Sequence, residues 1–125
     1  MSHVIDILLI EDEPNIAEAV RFILSRDGWS LAHWHEGGEA LSQIAHLRPK
    51  LIVLDVMLPA RSGLEVLEAL RADHALRHLP VLMLTARGMS GRGGISSSKA
   101  DRVLAKPFDN DELRRIVRDM LGAPR

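Results

Sequence analysis

Leu51-Ile52-Val53-Leu54-Asp55-Val56-Met57-Leu58-Pro59 is the stretch on which the reading of this chain turns. An unbroken apolar run ends in a carboxylate and is closed by a proline. A strand with one wet face alternates apolar and polar residues, so an unbroken run fits a strand covered on both faces. Runs of the same kind stand upstream at Ile7-Leu8-Leu9-Ile10 and downstream at Val81-Leu82-Met83-Leu84. Two weaker runs, Ser30-Leu31-Ala32-His33-Trp34 and Arg102-Val103-Leu104, are expected nearer the sheet edges. Helical stripes fill the gaps. Ile16, Val20, Ile23 and Leu24 follow Pro14 and stop at Asp27-Gly28; Leu41, Ile44, Ala45 and Leu47 precede Pro49. Leu64, Val66, Leu67 and Leu70 follow Gly63, and Leu113, Ile116, Val117 and Met120 form the last stripe. Each recurs at three-to-four spacing, the mark of one buried helix face. Asp109 with Glu112 predicts a capping box at the start of the last helix. Alternating strands and helices predict an α/β fold, repeated βαβ units on a five-stranded parallel sheet.

One segment breaks the alternation. A helix belongs between the fourth and fifth strands, yet residues 88–98 hold Gly88, Gly91, Gly93, Gly94 and Ser96-Ser97-Ser98, with only Met89 and Ile95 as large apolar residues. Each glycine inside a helix costs about 1 kcal/mol relative to alanine, and two apolar residues make no stripe. The fourth helix is therefore expected to be short or disordered, and the most mobile part of the chain.

Composition bounds the function. The 125 residues carry a net charge of −1 and no Lys/Arg cluster, which argues against nucleic-acid binding. There is no cysteine, so thiolate chemistry and Cys-built zinc sites are excluded. The apolar runs are far too short to cross a bilayer, and Met1-Ser2-His3-Val4 does not begin a signal peptide. A single cytoplasmic domain spanning 1–125, standing alone, is the expectation. His33 and His35, or His74 and His78, do not favour a zinc or copper site, and Trp29 and Trp34 read as packing residues.

In an open α/β sheet, ligands bind outside the carboxyl ends of the strands. Glu11, Asp12 and Glu13 follow the first strand, Asp55 the third and Thr85 the fourth; Lys106 lies just past the fifth. Taken alone, an acidic trio is more often a solvated helix start than a metal site. Converging with Asp55, its carboxylates would repel, and a hard divalent cation removes that conflict. An all-oxygen donor set favours Mg²⁺. A carboxylate can serve as the nucleophile that forms an aspartyl-phosphate. A metal, an ammonium and a hydroxyl can each stabilise a phosphoryl oxygen.

Leu8-Leu9-Ile10-Glu11-Asp12-Glu13-Pro14, Leu51 to Pro59, Leu82-Met83-Leu84-Thr85-Ala86 and Lys106-Pro107-Phe108, in that order, closely resemble the response-regulator receiver family. The resemblance covers almost the whole chain and implies a doubly wound five-stranded parallel sheet of flavodoxin-like strand order 2-1-3-4-5. It implies Asp55 as phosphoacceptor. Asp12 would bind Mg²⁺ directly and Glu11 mostly through water, Asp55 would belong to the metal site as well, and the Met57 carbonyl would complete the protein ligands. Lys106 would pair with Asp55 and then with its phosphate, and Thr85 would bind a phosphoryl oxygen. Lys106-Pro107 would be a cis peptide, and Glu13 no ligand. It implies a sensor histidine kinase or a histidine phosphotransfer protein as phosphodonor and an output partner that the sequence does not identify. Intrinsic autophosphorylation and slow autodephosphorylation would take the place of enzymatic turnover.

The chain departs from the family at three places. Val103 stands where an aromatic residue is common, Lys99 where glycine is usual, and the spacing from Thr85 to Lys106 is one residue short. These departures bear on the output face and leave the phosphorylation chemistry untouched; the same face is a candidate for pairing with a second copy of the chain. A pseudo-receiver is disfavoured by the intact acid pair with Asp55, Thr85 and Lys106. A phosphohydrolase with an aspartyl nucleophile is disfavoured by Met57, where such enzymes carry a second aspartate.

Overall fold

The computed structural model describes residues 5–86 and 99–122. The Gly/Ser-rich stretch 88–98, with the expectation about a fourth helix there, lies outside those residues. The elements run β1 (Ile7–Ile10), α1 (Pro14–Arg26), β2 (Leu31–Trp34), α2 (Ala40–Leu47), β3 (Leu51–Asp55), α3 (Gly63–Ala72), β4 (Val81–Ala86), β5 (Arg102–Lys106) and α4 (Asn110–Leu121). The five strands form one parallel sheet in the order β2-β1-β3-β4-β5. The continuously apolar runs are the central strands, where β1 and β3 are buried throughout. The weaker runs are the edges, β2 half-buried along its length and β5 mixed.

Strand side chains alternate between faces, and the sheet separates two apolar cores. Ile7, Leu9, Val53, Leu82 and Leu84 pack with Val20 and Leu24 of α1 and Leu113 and Val117 of α4. Leu8, Ile10, Ile52, Leu54 and Met83 pack with Ile44 of α2 and Val66, Leu67 and Leu70 of α3. Trp29 lies buried in the first core, a packing residue as expected.

The helix ends follow local chemistry. Pro14 opens α1, where its missing N–H costs nothing. Ser62 caps α3 in a full capping box with Glu65 that the sequence reading passed over. The box expected at Asp109 and Glu112 does not form: Asp109 is the N-cap of α4 but its side chain makes no capping bond. Instead Asp111 and Glu112 place negative charge in the first turn, against the positive end of the helix dipole.

Arg71, near the end of α3, holds the lower side of the sheet together. Its guanidinium donates to the carbonyls of Arg77 (2.8 Å), Leu79 (2.7 Å) and Lys99 (3.0 Å) and pairs with Asp101 Oδ2 at 2.9 Å. Asp101 in turn accepts from the amide of Val81, the first residue of β4. One side chain thus joins α3, the connection into β4 and the entry to β5. Arg71→Met is expected to lower stability by about 1–3 kcal/mol, because four acceptors, that of Leu79 part-buried and the others exposed, lose a charged donor together. Urea unfolding measures this, and a change below about 1 kcal/mol would show that water replaces the donor.

Candidate functional site

The topology gathers the predicted residues at the carboxyl end of the sheet. β1 and β3 are neighbours, with Ile10 opposite Leu54, so Glu11 and Asp55 end adjacent strands side by side. β1 also has β2 on its other flank, and this reversal of strand order is the switch point of the sheet. Asp55 stands opposite Leu84, which puts Thr85 one residue beyond it on β4, and Ala86 stands opposite Lys106 on β5.

Carboxylate oxygens of Glu11, Asp12 and Asp55 lie within 4.8 Å of one another. Glu11 and Asp55 are buried and Asp12 is exposed. Lys106 Nζ sits between the buried pair, 3.0 Å from Asp55 Oδ1 and 3.1 Å from Glu11 Oε1. Burial and the neighbouring Asp55 carboxylate push the Glu11 carboxyl up to about 7, against the opposing pull of the Glu13 amide and of Lys106. Burial alone would lower the Lys106 ammonium, but its hydrogen bonds to Asp55 and Glu11 outweigh that and hold it above its ordinary value. Thr85 is fully buried, and its Oγ1 has no hydrogen-bond partner among the described residues. A buried hydroxyl without a partner is costly and marks a place where an acceptor is expected.

Backbone contacts hold these groups. The Glu11 amide donates to the Trp34 carbonyl at 2.9 Å, Glu11 Oε2 accepts from the Glu13 amide at 3.1 Å, and the Glu11 carbonyl lies 2.7 Å from His33 Nε2. On the other side, the Gly63 amide donates to the Val56 carbonyl at 2.8 Å. A Cβ at Gly63 would fall 2.1 Å from the Asp55 carbonyl oxygen, so only glycine lets α3 start this close to the strand end. The Pro59 carbonyl accepts from the amides of Gly37 and Arg61, tying the loop after Asp55 to the start of α2.

The structure thus brings together Glu11, Asp12, Asp55, Thr85 and Lys106. Met57 follows on the same loop with its side chain largely exposed. Lys106-Pro107 is cis, as the resemblance implies. Two partners were not foreseen. Lys106 was paired in the sequence reading with Asp55 alone, yet it also bonds Glu11. The His33 contact to Glu11 has as its one trace in the sequence a polar residue within the apolar run of β2.

A site of this kind on a five-stranded sheet of this order has clear relatives. The family model described as the response regulator receiver domain matches residues 7–118. The chain is 39% identical over 124 residues to response regulator Rre1 of Synechocystis sp., covering 98% of this chain and 54% of that protein. It is 37% identical over 116 residues to the DNA-binding response regulator MtrA of Mycolicibacterium smegmatis, covering 92% of this chain and 50% of that one. Among solved structures, it matches the receiver domain of the sensor histidine kinase PA1611 from Pseudomonas aeruginosa PAO1. That match has a TM-score of 0.86 and 29% identity over 97% of this chain and 100% of that one. The Pseudomonas domain has a magnesium ion coordinated in its active-site cleft. The chain belongs to the response regulator receiver domain family of two-component signalling. It spans about half the length of the curated relatives it matches. Because one of these is a DNA-binding regulator, the expectation of no nucleic-acid partner finds no support among them. Among the described residues no helix is long and apolar enough to cross a membrane.

The electrostatics have measurable consequences. Between about pH 4.5 and 7 the unfolded chain has released the Glu11 proton while the folded state keeps it. Stability contributed by this group therefore falls as pH rises through that window. Glu11→Gln has no proton to release. In metal-free urea unfolding, the wild-type midpoint is expected to fall relative to that of the variant across the window; parallel midpoints would put the Glu11 pKa back at its ordinary value. Thr85→Val removes a buried hydroxyl that has no partner and leaves the volume nearly unchanged. It is expected to raise the stability of the unphosphorylated protein by about 1–3 kcal/mol, and a loss of stability in the same assay would contradict this.

Proposed function

We propose that Asp55 is the phosphoacceptor of a cytoplasmic two-component phosphorelay, with Mg²⁺ beside it. The observation that carries this reading is the buried Asp55 carboxylate 3.0 Å from Lys106 Nζ, with the unpartnered hydroxyl of Thr85 one residue further on the neighbouring strand. The donor set fits the metal: three carboxylates, hard oxygen ligands only, on one face of the site. Asp12 and Asp55 would hold Mg²⁺ directly, Glu11 mostly through water, and Met57 through its backbone carbonyl. When bound, the ion neutralises charge on the clustered carboxylates and on the phosphoryl oxygens.

An Asp55 carboxylate oxygen attacks the phosphorus of a phosphohistidine. The new O–P bond forms as the P–N bond breaks, and the imidazole leaves with the bonding electron pair. Lys106, already at hydrogen-bond distance from Asp55, moves its ammonium onto a phosphoryl oxygen, where negative charge accumulates. The Thr85 hydroxyl gains the acceptor it lacks. Water later attacks the phosphorus and returns the Asp55 carboxylate with inorganic phosphate. The residues act in one round of transfer and signalling, without enzymatic turnover. The donor would be a sensor histidine kinase or a histidine phosphotransfer protein, and the phosphorylated state would bias a two-state surface read by an output partner. Residues 1–125 would act as a single receiver domain.

Asp55→Asn replaces the nucleophilic carboxylate with an amide. After incubation with acetyl phosphate and Mg²⁺, the wild type is expected to gain one phosphoryl mass, and the variant none, in intact-mass analysis. Addition of the same mass to the variant would assign the acceptor to another residue.

A further inference from the structure

We infer that His33 is a positioning residue for the acidic turn after β1: its ring fixes the peptide between Glu11 and Asp12 and so aims the Asp12 carboxylate at the cation site. This rests on the proposed role of Asp12 as a metal ligand. His33 lies on β2, the edge strand, in register with Leu9 of β1. From there its ring reaches past the end of β1 to the Glu11 carbonyl, 2.7 Å from Nε2, in partly buried surroundings. A carbonyl oxygen can only accept, so Nε2 carries the hydrogen and His33 is the donor.

The turn needs this bond because Asp12 has no support of its own. Its side chain is exposed and has no hydrogen-bond or ion-pair partner among the described residues. Glu11, by contrast, is held at both its amide and its carboxylate, by Trp34, Glu13 and Lys106. The direction of the Asp12 carboxylate is therefore set by the backbone that carries it. The peptide joining Glu11 to Asp12 ends at the Asp12 Cα, and turning that peptide swings the carboxylate away from Asp55. The His33 ring holds the oxygen of that same peptide. A ligating constellation tolerates errors of about 0.5 Å, so a donor that fixes the peptide plane acts on metal affinity without touching the metal.

The test uses the whole chain and three measurements on His33→Leu, which removes the donor, and His33→Gln, whose side-chain amide restores one. Loss of one net hydrogen bond corresponds to about fivefold in an equilibrium constant. In His33→Leu the Mg²⁺ dissociation constant, read by calorimetric titration, is expected to rise about fivefold. The Mg²⁺ concentration giving half-maximal labelling by acetyl phosphate should rise by the same factor, while the labelling rate at saturating Mg²⁺ stays within about twofold. In metal-free protein, exchange of the Glu13 amide, which closes the turn onto Glu11, should quicken by a similar factor. His33→Gln should recover most of each effect. Should His33→Leu fail to fold, His33→Asn, too short to reach the carbonyl, takes its place with the same expectation. Wild-type Mg²⁺ constants in His33→Leu, or a His33→Gln as impaired as His33→Leu, would overturn the inference. If the wild type itself takes up no Mg²⁺, the proposed function falls, and the exchange comparison alone then decides whether His33 holds the turn.

Discussion

Glu11 and Asp55 end neighbouring strands, and burial takes water away from both carboxylates. Two like charges about 4 Å apart repel by about 4 kcal/mol at an effective dielectric of about 20. In this fold the repulsion is answered by one ammonium, Lys106, within 3.1 Å of both. Burial first, and then the part of the repulsion from Asp55 that Lys106 does not answer, leave the Glu11 carboxyl displaced upward to about 7. Much of the architecture serves the placing of that one cation. Lys106 reaches the pair because β5 lies beyond β4 in register, with Lys106 opposite Ala86. The entry to β5 is in turn secured by Arg71 and Asp101 at the far end of the sheet.

This dependence ties the two ends of the molecule together. The lower side, where Arg71 joins three segments, carries none of the chemistry, yet it helps to set where β5 begins. The upper side is built almost wholly from strand termini and the short loops that follow them. Groups placed there inherit the rigidity of a sheet buried on both faces, while Asp12 and Met57 on the following loops are exposed. Asp12, exposed on its turn, is the group with the least support of this kind, and the His33 contact compensates for it.

The fold was legible because its signal is redundant. Three continuous apolar runs, two weaker ones and four amphipathic stripes agree with one another, and the doubly wound order places the acids, threonine and lysine at one end whatever the details of packing. Thr85 and Lys106 stand next to strand ends in the sequence, so their convergence follows from topology alone. What escaped depends on side-chain reach across long sequence separations. Lys106 and Glu11 lie far apart in the chain, and no local pattern announces that one ammonium serves two carboxylates. His33 looked like a polar residue on an edge strand, and only the reach of its ring across to the end of β1 brings it to the Glu11 carbonyl. The two capping boxes show the same limit in a local motif: Ser62 with Glu65 and Asp109 with Glu112 share a spacing, but only the first pair closes.

Gly63 carries a lesson for anyone wishing to stabilise this chain. By helix propensity alone, replacing it with alanine would gain up to about 1 kcal/mol, and a survey that scores each helix residue separately would choose that substitution early. The added methyl would press on the carbonyl oxygen of Asp55, 2.1 Å from the place a Cβ would occupy. The first turn of α3 is therefore not free to be optimised as a helix, because the boundary of what it tolerates is drawn by the strand that ends in Asp55.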